Sequence, residues 1–381
     1  MRRAIAFAIT MIQLLLAARF LSKVRSTAGG RPIERRDQQR EVGLISVIVP
    51  VLNEIDRVDE CLESLRGQGS DVVEILVVDG GSDDGTQLLV EQHSQLDPRI
   101  QLLSADPIAE GWNGKSWGLQ VALGAVSGAS DWVVTVDADV TVSADGIASA
   151  VSFAETRGIP FLSIATSQQA STPGLSLIHP SLLSTLVYRF GIPGQAARTL
   201  DEVQANGQFA VYQRQALQRN GGFSIARDSI CEDVTLARHL FLSGYQVGFF
   251  EGGDLAVTRM YANGLECLRN WPRSLSLQDR FAPRAGVIGL LNIAFLQVLP
   301  VLSLIWMPAS FRAIREFSLV NRLLLGARLG IMLGTRRAYA DVHWVYWLSP
   351  LCDPVSLIAY AMNLSKRSHT WRGRRLVIRK N

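Results

Sequence analysis

The run Val133-Val134-Thr135-Val136 ends in Asp137-Ala138-Asp139, and no other stretch constrains the fold as tightly. An unbroken β-branched segment reads as a parallel strand buried on both faces. Ligands of such sheets collect at the carboxyl ends of the strands, where both aspartates fall. Alternation along an extended backbone turns their side chains to the same side. One hard cation could then be gripped by either or both carboxylates, with positions left for phosphate oxygens. A single Asp-x-Asp is a weak sign of a metal, and its weight comes from the segments around it.

Those segments repeat one pattern. Residues 45–54 read as a buried strand and a turn, with a helix from 55 to about 65. The apolar run 74–78 ends in Asp79-Gly80-Gly81-Ser82-Asp83-Asp84-Gly85-Thr86, and residues 87–93 follow with helical spacing. A third unit holds the strand 100–103, the loop Gly111-Trp112-Asn113-Gly114-Lys115 and a small-residue helix through Ala125. This alternation predicts a doubly wound α/β sheet with a nucleotide at its carboxyl edge. The loop fits neither GxGxxG nor GxxxxGK[ST], so neither the dinucleotide fingerprint nor the P-loop is supported.

Mean hydropathy is +0.17, high for a soluble enzyme, and the excess lies at the two ends. Residues 4–21 are mostly apolar after Arg2 and Arg3, compatible with a signal peptide, an uncleaved anchor or an interfacial helix. No small-x-small cleavage site stands out, and Lys23, Arg25, Arg31, Arg35, Arg36 and Arg40 follow. An uncleaved anchor over 1–22 with a basic cytoplasmic linker over 23–43 is the preferred reading. Residues 285–306 are 22 residues without a charge, about 33 Å as a helix against a hydrocarbon core of about 30 Å. The stretch 319–333 is interrupted by Arg322 and Arg328, and 342–364 by Asp353-Pro354. Either suits a span or an interfacial helix. The expected organisation is a catalytic domain over 44–280, membrane-associated helices over 281–364 and a basic cytoplasmic tail over 365–381.

That tail carries seven basic side chains and no acid. With the whole chain at +4, the remainder stands at about −3, so the basicity is local and no nucleic-acid footprint is expected. Cys61, Cys231, Cys267 and Cys352 have no CxxC spacing, which favours a reducing compartment, inert buried thiols and no zinc site.

Val49-Pro50-Val51-Leu52-Asn53-Glu54, Val77-Val78-Asp79-Gly80-Gly81-Ser82-Asp83-Asp84-Gly85-Thr86, Gly114-Lys115, Asp137-Ala138-Asp139 and Cys231-Glu232-Asp233 occur in that order. Together they resemble the motifs of family 2 glycosyltransferases of the GT-A fold, a Rossmann-like nucleotide-diphospho-sugar transferase domain, over about residues 44–255. Asn206-Gly207-Gln208-Phe209, Gly221-Gly222-Phe223 and Gly244-Tyr245 are similar to membrane-bound members with lipid acceptors. The segments 270–277 and 346–351 resemble bacterial carotenoid glycosyltransferases such as the 2'-O-glycosyltransferases of myxol-type pigments. Processive synthases carry (Q/R)xxRW near this point. Here Leu277-Gln278-Asp279-Arg280-Phe281 keeps only the Arg, which counts against a processive polysaccharide synthase.

The resemblance implies Mg²⁺ or Mn²⁺ at Asp139, with Asp137 assisting through the metal or the nucleotide ribose, and a general base at Asp233 beside Glu232 in an inverting transfer. It further implies that Asp79 meets the base of the nucleotide, that Pro50 and Glu54 shape the ribose pocket, and that Lys115 meets the diphosphate. Arg280 would greet the diphosphate or an anionic headgroup. Each has a plainer reading. Glu54, Glu232 and Asp233 suit helix first turns, and Asp79 suits an Asx turn. Lys115 suits solvent, and Arg280 suits the flank of a span. His179 has no partner at ligand spacing and receives no role. The expected activity is transfer of one sugar from a nucleotide-sugar, UDP-linked by default, to a hydroxyl of a membrane lipid, first of all a carotenoid. The expected location is the cytoplasmic face of a bacterial or thylakoid-type membrane. The rivals are the processive synthase and a scaffold that keeps the fold without catalysis.

Overall fold

The computed structural model describes residues 1–27, 30–36, 41–275, 281, 285–365, 368–371 and 374–377. Among the described residues, twelve strands build the two larger sheets: β1 (Ile45–Val51), β2 (Val72–Asp79), β3 (Ile100–Ser104), β4 (Trp132–Val136), β5 (Val140–Val142), β6 (Phe161–Ala165), β7 (Ser167–Ala170), β8 (Gln195–Ala196), β9 (Phe209–Gln213), β10 (Val247–Glu251), β11 (Ala256–Thr258) and β12 (Tyr339–Val342). The larger sheet runs β3-β2-β1-β4-β9-β6-β10-β8.

Its first four strands are parallel, with Ile48 of β1 opposite Leu76 of β2 and Thr135 of β4. Three of them, β1, β2 and β4, are the β-branched runs, and every residue of β4 is buried. Apolar side chains from alternate positions form a core on each face of the sheet: Val47, Val49, Val77 and Val134 on one side, Ile48, Leu76, Val78 and Val133 on the other. The chain winds outward through β2 and β3, then returns to place β4 on the far side of β1. The carboxyl ends of β1 and β4 therefore flank a crevice. β9 joins β4 antiparallel and carries the sheet onward.

A smaller sheet, β12-β7-β11-β5, packs at that crevice. β5 starts directly after Asp139 and pairs with β11. β12 lies beyond the C-terminal apolar helices yet pairs in parallel with β7, so distant chain closes the sheet beside the crevice.

Among the described residues, three helices are long and apolar enough to cross a membrane by length and composition: Arg2–Thr27, Gly286–Ile305 and Arg315–Ala338. A buried helix, Pro173–Phe190, lies among them, capped by Thr172 with Pro173 in its first turn. Polar side chains tie the group together. Gln13 Nε2 donates to Asn321 Oδ1 and to Phe295 O, each at 3.0 Å. Arg328 and Asp353, both fully buried, pair at 2.9 Å. Asp353 Oδ1 also accepts from Ser181 Oγ at 2.7 Å and Gln297 Nε2 at 2.8 Å. The stretch 342–364 is not one long helix. It breaks into the end of β12, a 3-10 segment Trp344–Cys352 and the helix Asp353–Ser365, whose 13 residues reach only about 20 Å.

Candidate active site

The crevice gathers carboxylates from three elements. Asp137 leaves β4 where its backbone N–H donates to Gln208 O at 2.9 Å. Two residues on, Asp139 O accepts from Arg259 N at 3.0 Å as β5 begins. Glu232 and Asp233 open the helix Glu232–Leu242, where Asp233 Oδ1 accepts from Val234 N at 2.8 Å. Both plainer expectations for this acidic pair hold locally, because acids at a helix start satisfy free N–H groups. The same turn also aims them into the crevice.

Lys115 joins the elements. Asn113 caps the helix Gly114–Ala125 by accepting from Ser116 N at 2.8 Å, and its amide donates to Ser229 O. The loops before both helices are thereby fastened together. Lys115 Nζ then lies 2.8 Å from Asp137 Oδ1 and 2.9 Å from Glu232 Oε1. Burial alone would lower the ammonium pKa, but the two carboxylates outweigh it and hold the group well above its ordinary value. Lys115 is thus part of the cluster rather than a solvated side chain. Gly207 makes the close approach possible: a Cβ there would sit 3.2 Å from Lys115 Nζ and 3.4 Å from Glu232 Oε1.

Asp233 is pushed up to about 7, first by burial and then by the Glu232 charge. Asp139 rises to about 7 by burial, with Asp137 and Glu54 adding to it. One buried oxygen of Asp139, Oδ1, has no hydrogen-bond partner. A buried carboxylate oxygen left unpaired is costly unless a proton or a cation meets it.

All these groups line one cavity of about 740 Å³, within the size range of small-molecule sites. Pro50 and Glu54 line it too. Glu54 pairs with Arg57 at 3.3 Å, and Arg57 reaches Glu266 at 3.4 Å. Asp79 is not in its wall: the carboxylate is taken up by Gly81 N (2.8 Å), Ser82 N (3.0 Å) and Gln87 Nε2 (2.6 Å), the geometry of an Asx turn. Arg280 falls outside the described residues.

The cavity also has an apolar part of its wall, with Phe20, Val24, Leu183, Val187 and Ile331, four of which belong to one apolar cluster. His179 lines the cavity too. It stacks on Trp271 at 4.2 Å and shares a 2.8 Å hydrogen bond with Tyr339 Oη. Burial lowers its pKa to about 3, so the ring is neutral. All four cysteines are free, and Cys231 is buried.

The family model for glycosyl transferase family 2 matches residues 46–221, the stretch that carries β1 to β9 with Lys115, Asp137 and Asp139. The domain over those residues belongs to glycosyl transferase family 2. Among similar proteins, the 4,4'-diaponeurosporenoate glycosyltransferase of Staphylococcus haemolyticus is 27% identical over 236 residues, 61% of each chain. The succinoglycan biosynthesis protein ExoA of Rhizobium meliloti is 24% identical over 204 residues, 53% of this chain and 59% of that one. The glycosyltransferase AglE of Haloferax volcanii is 32% identical over 84 residues, 22% of this chain and 28% of that one. Each match spans less than two thirds of the relative. A mannosyltransferase of Pyrobaculum calidifontis, solved with GDP-Man and Mn²⁺, shares the GT-A fold across 96% of this chain and 99% of its own, at 19% identity and a TM-score of 0.52.

Proposed function

We propose that the family 2 domain transfers one sugar from a nucleotide-sugar to a hydroxyl of a membrane-dissolved lipid, with a carotenoid-type alcohol as the first candidate. One observation carries the reading: a single cavity runs from the Asp137, Asp139, Glu232 and Asp233 carboxylates to an apolar wall built by the helices Arg2–Thr27, Pro173–Phe190 and Arg315–Thr335. A lipid alcohol has this same division, polar where it reacts and apolar elsewhere. The similarity to the diaponeurosporenoate enzyme, whose named substrate is a carotenoid carboxylate, supports the long apolar chain of the acceptor.

The chemistry asks for a proton acceptor and for charge to meet the leaving diphosphate. Asp233, with its pKa near 7, takes the hydroxyl proton as the acceptor oxygen attacks the anomeric carbon. The bond from that carbon to the diphosphate breaks on the opposite face, and the anomeric centre inverts. Lys115 stands ready for a phosphate oxygen once a donor draws it from Asp137 and Glu232. Among the described residues no three His, Cys, Asp or Glu form a metal cluster. One or two carboxylates plus substrate phosphates nevertheless suffice to hold Mg²⁺, and the unpartnered Oδ1 of Asp139 fits that need. Asp139 and Asp137 would hold Mg²⁺ or Mn²⁺, which neutralises the departing diphosphate as a Lewis acid.

The domain would face the cytoplasm, as the basic residues between Lys23 and Arg36 favour. The pairing of β12 with β7 supports two crossings between residues 286 and 338, since the chain must come back to the side of the sheet.

The test is a transfer screen with the detergent-solubilised protein, Mg²⁺ or Mn²⁺, a panel of UDP-, GDP- and dTDP-sugars and extracted membrane lipids, read by mass spectrometry. One sugar added to one lipid class, lost in Asp233→Asn, is the expected result. A ladder of sugars, or donor binding without transfer, would sink the proposal.

A further inference from the structure

The helix Arg315–Thr335 turns an unusual face to the cavity. Ala327, Gly330, Ile331, Gly334 and Thr335 line it, and Ala338 continues the line just beyond. Their spacing of three and four residues defines a single face. Leu323, Leu329 and Leu333 are exposed, and Phe317, Asn321, Leu324, Arg328 and Met332 are buried on another face. Glycine weakens a helix interior relative to alanine and is retained where a backbone must come close. Neither Gly330 nor Gly334 has such a neighbour: a Cβ on either would meet nothing within 4 Å. What the two glycines supply is open width. Across from them stand Leu183, Leu186 and Val187 of the helix Pro173–Phe190, with Phe20 and Val24 of the N-terminal helix. Apart from Thr335 the named side chains around this space are apolar, and the space belongs to the same cavity as Asp233.

We infer that this space is a sleeve for the apolar chain of the acceptor, and that Gly330 and Gly334 set its bore, so that the enzyme selects alcohols with a long, extended chain. The inference rests on the lipid-acceptor reading and names what that reading leaves open. A hydroxyl held at Asp233 needs its chain to leave through apolar surroundings, and the sleeve leads from that point.

A competing occupant is a helix of a second copy, because Gly326, Gly330 and Gly334 at four-residue spacing also form the pattern that lets helices pack closely. The two occupants make different demands. A partner helix would use all three glycines, whereas only Gly330 and Gly334 line the cavity and Gly326 does not.

The experiment titrates a fluorescent long-chain conjugated polyene alcohol into the detergent-solubilised full chain without donor, alongside Gly330→Leu, Gly334→Leu and Gly326→Leu. Saturable binding to the wild type is expected, weakened about tenfold or more by leucine at 330 or 334 and left within about twofold by leucine at 326. Circular dichroism and the mass of the protein–detergent particle are measured on each variant to show that helix content and oligomeric state are kept. The inference is overturned if the wild type does not bind the probe or if Gly330→Leu and Gly334→Leu bind it like wild type. It is also overturned if all three variants fall together while a dimer dissolves, the result expected of a helix partner. A parallel incubation with a sugar donor separates the two proposals. Probe bound in the sleeve but never glycosylated defeats the lipid-transferase reading alone, and probe glycosylated with no effect of leucine at 330 or 334 defeats the sleeve alone.

Discussion

Replacing Asp353 with leucine tests whether one buried ion pair holds the wall of the cavity in place. Arg328 and Asp353 are both 0% exposed and pair at 2.9 Å, with a second bond from Arg328 Nη2 to Asp353 Oδ1 at 3.0 Å. The leucine leaves a guanidinium inside the bundle without its counter-ion, a change that costs about 3–5 kcal/mol. Ser181 and Gln297 lose an acceptor as well. Each keeps another partner, Ser356 Oγ at 2.7 Å and Ser181 O at 3.0 Å respectively, so their loss adds little. At roughly 2 °C per kcal/mol for a chain of this size, the unfolding midpoint in detergent should drop by about 6–10 °C. Converting the partner too, as Arg328→Met with Asp353→Leu, removes the stranded charge and should restore most of that loss, since apolar replacements of buried pairs are often neutral. A double variant that melts below Asp353→Leu would refute the reasoning, as would a single variant that melts like wild type.

Asp233→Asn should lower kcat by about 10²–10⁴ while the Kd for nucleotide stays unchanged, and an unaltered kcat would remove Asp233 from the mechanism. Because a base works only when unprotonated, and burial with the Glu232 charge raises Asp233 to about 7, kcat/KM should climb with pH and level off above about 7; in Glu232→Gln that limb should move to lower pH. Asp139→Ala should abolish any gain in nucleotide affinity on adding Mn²⁺, measured by titration calorimetry, and a gain that persists would place the metal elsewhere. Gly207→Ala should raise the donor KM several-fold, on the order of 1 kcal/mol, without moving the unfolding midpoint. Its Cβ would press on the flexible ends of Lys115 and Glu232, at 3.2 and 3.4 Å, rather than on backbone.

The parts of the molecule that were legible in the sequence are those written in local pattern. Consecutive β-branched residues in β1, β2 and β4 leave little choice but buried strands, and Asp137 and Asp139 follow the last of them directly. The helix between β1 and β2, Val58–Arg66, was harder to place. It begins at Val58 rather than near Ile55, because Thr86 Oγ1 and Asp84 Oδ2 accept from Glu54 N and Ile55 N at 3.0 and 3.1 Å. Those partners lie some thirty residues away, outside any local signal. The helix Pro173–Phe190 did leave a mark, Thr172-Pro173 ahead of an apolar spacing, but Pro180 and its serines disguise it. His179 could not be assigned from sequence at all. Its stacking partner Trp271 and its hydrogen-bond partner Tyr339 come from separate later segments that only the tertiary fold unites. Asp79 shows the converse: its glycine-rich surroundings announce a turn, and Gly81, Ser82 and Gln87 consume the carboxylate.

The late arrival of β12 ties the finishing of the enzyme to the order in which it is synthesised. Until residues 339–342 emerge, β7 presents an unpaired edge, and His179 in the cavity wall lacks its hydrogen-bond partner Tyr339 Oη. The ribosome makes both apolar helices, Gly286–Ile305 and Arg315–Ala338, before that strand. On the membrane-anchored reading, a nascent chain must therefore have committed both of those helices to the bilayer before the smaller sheet can close. A version cut short ahead of residue 339 in search of a soluble domain would leave that sheet without its outer strand.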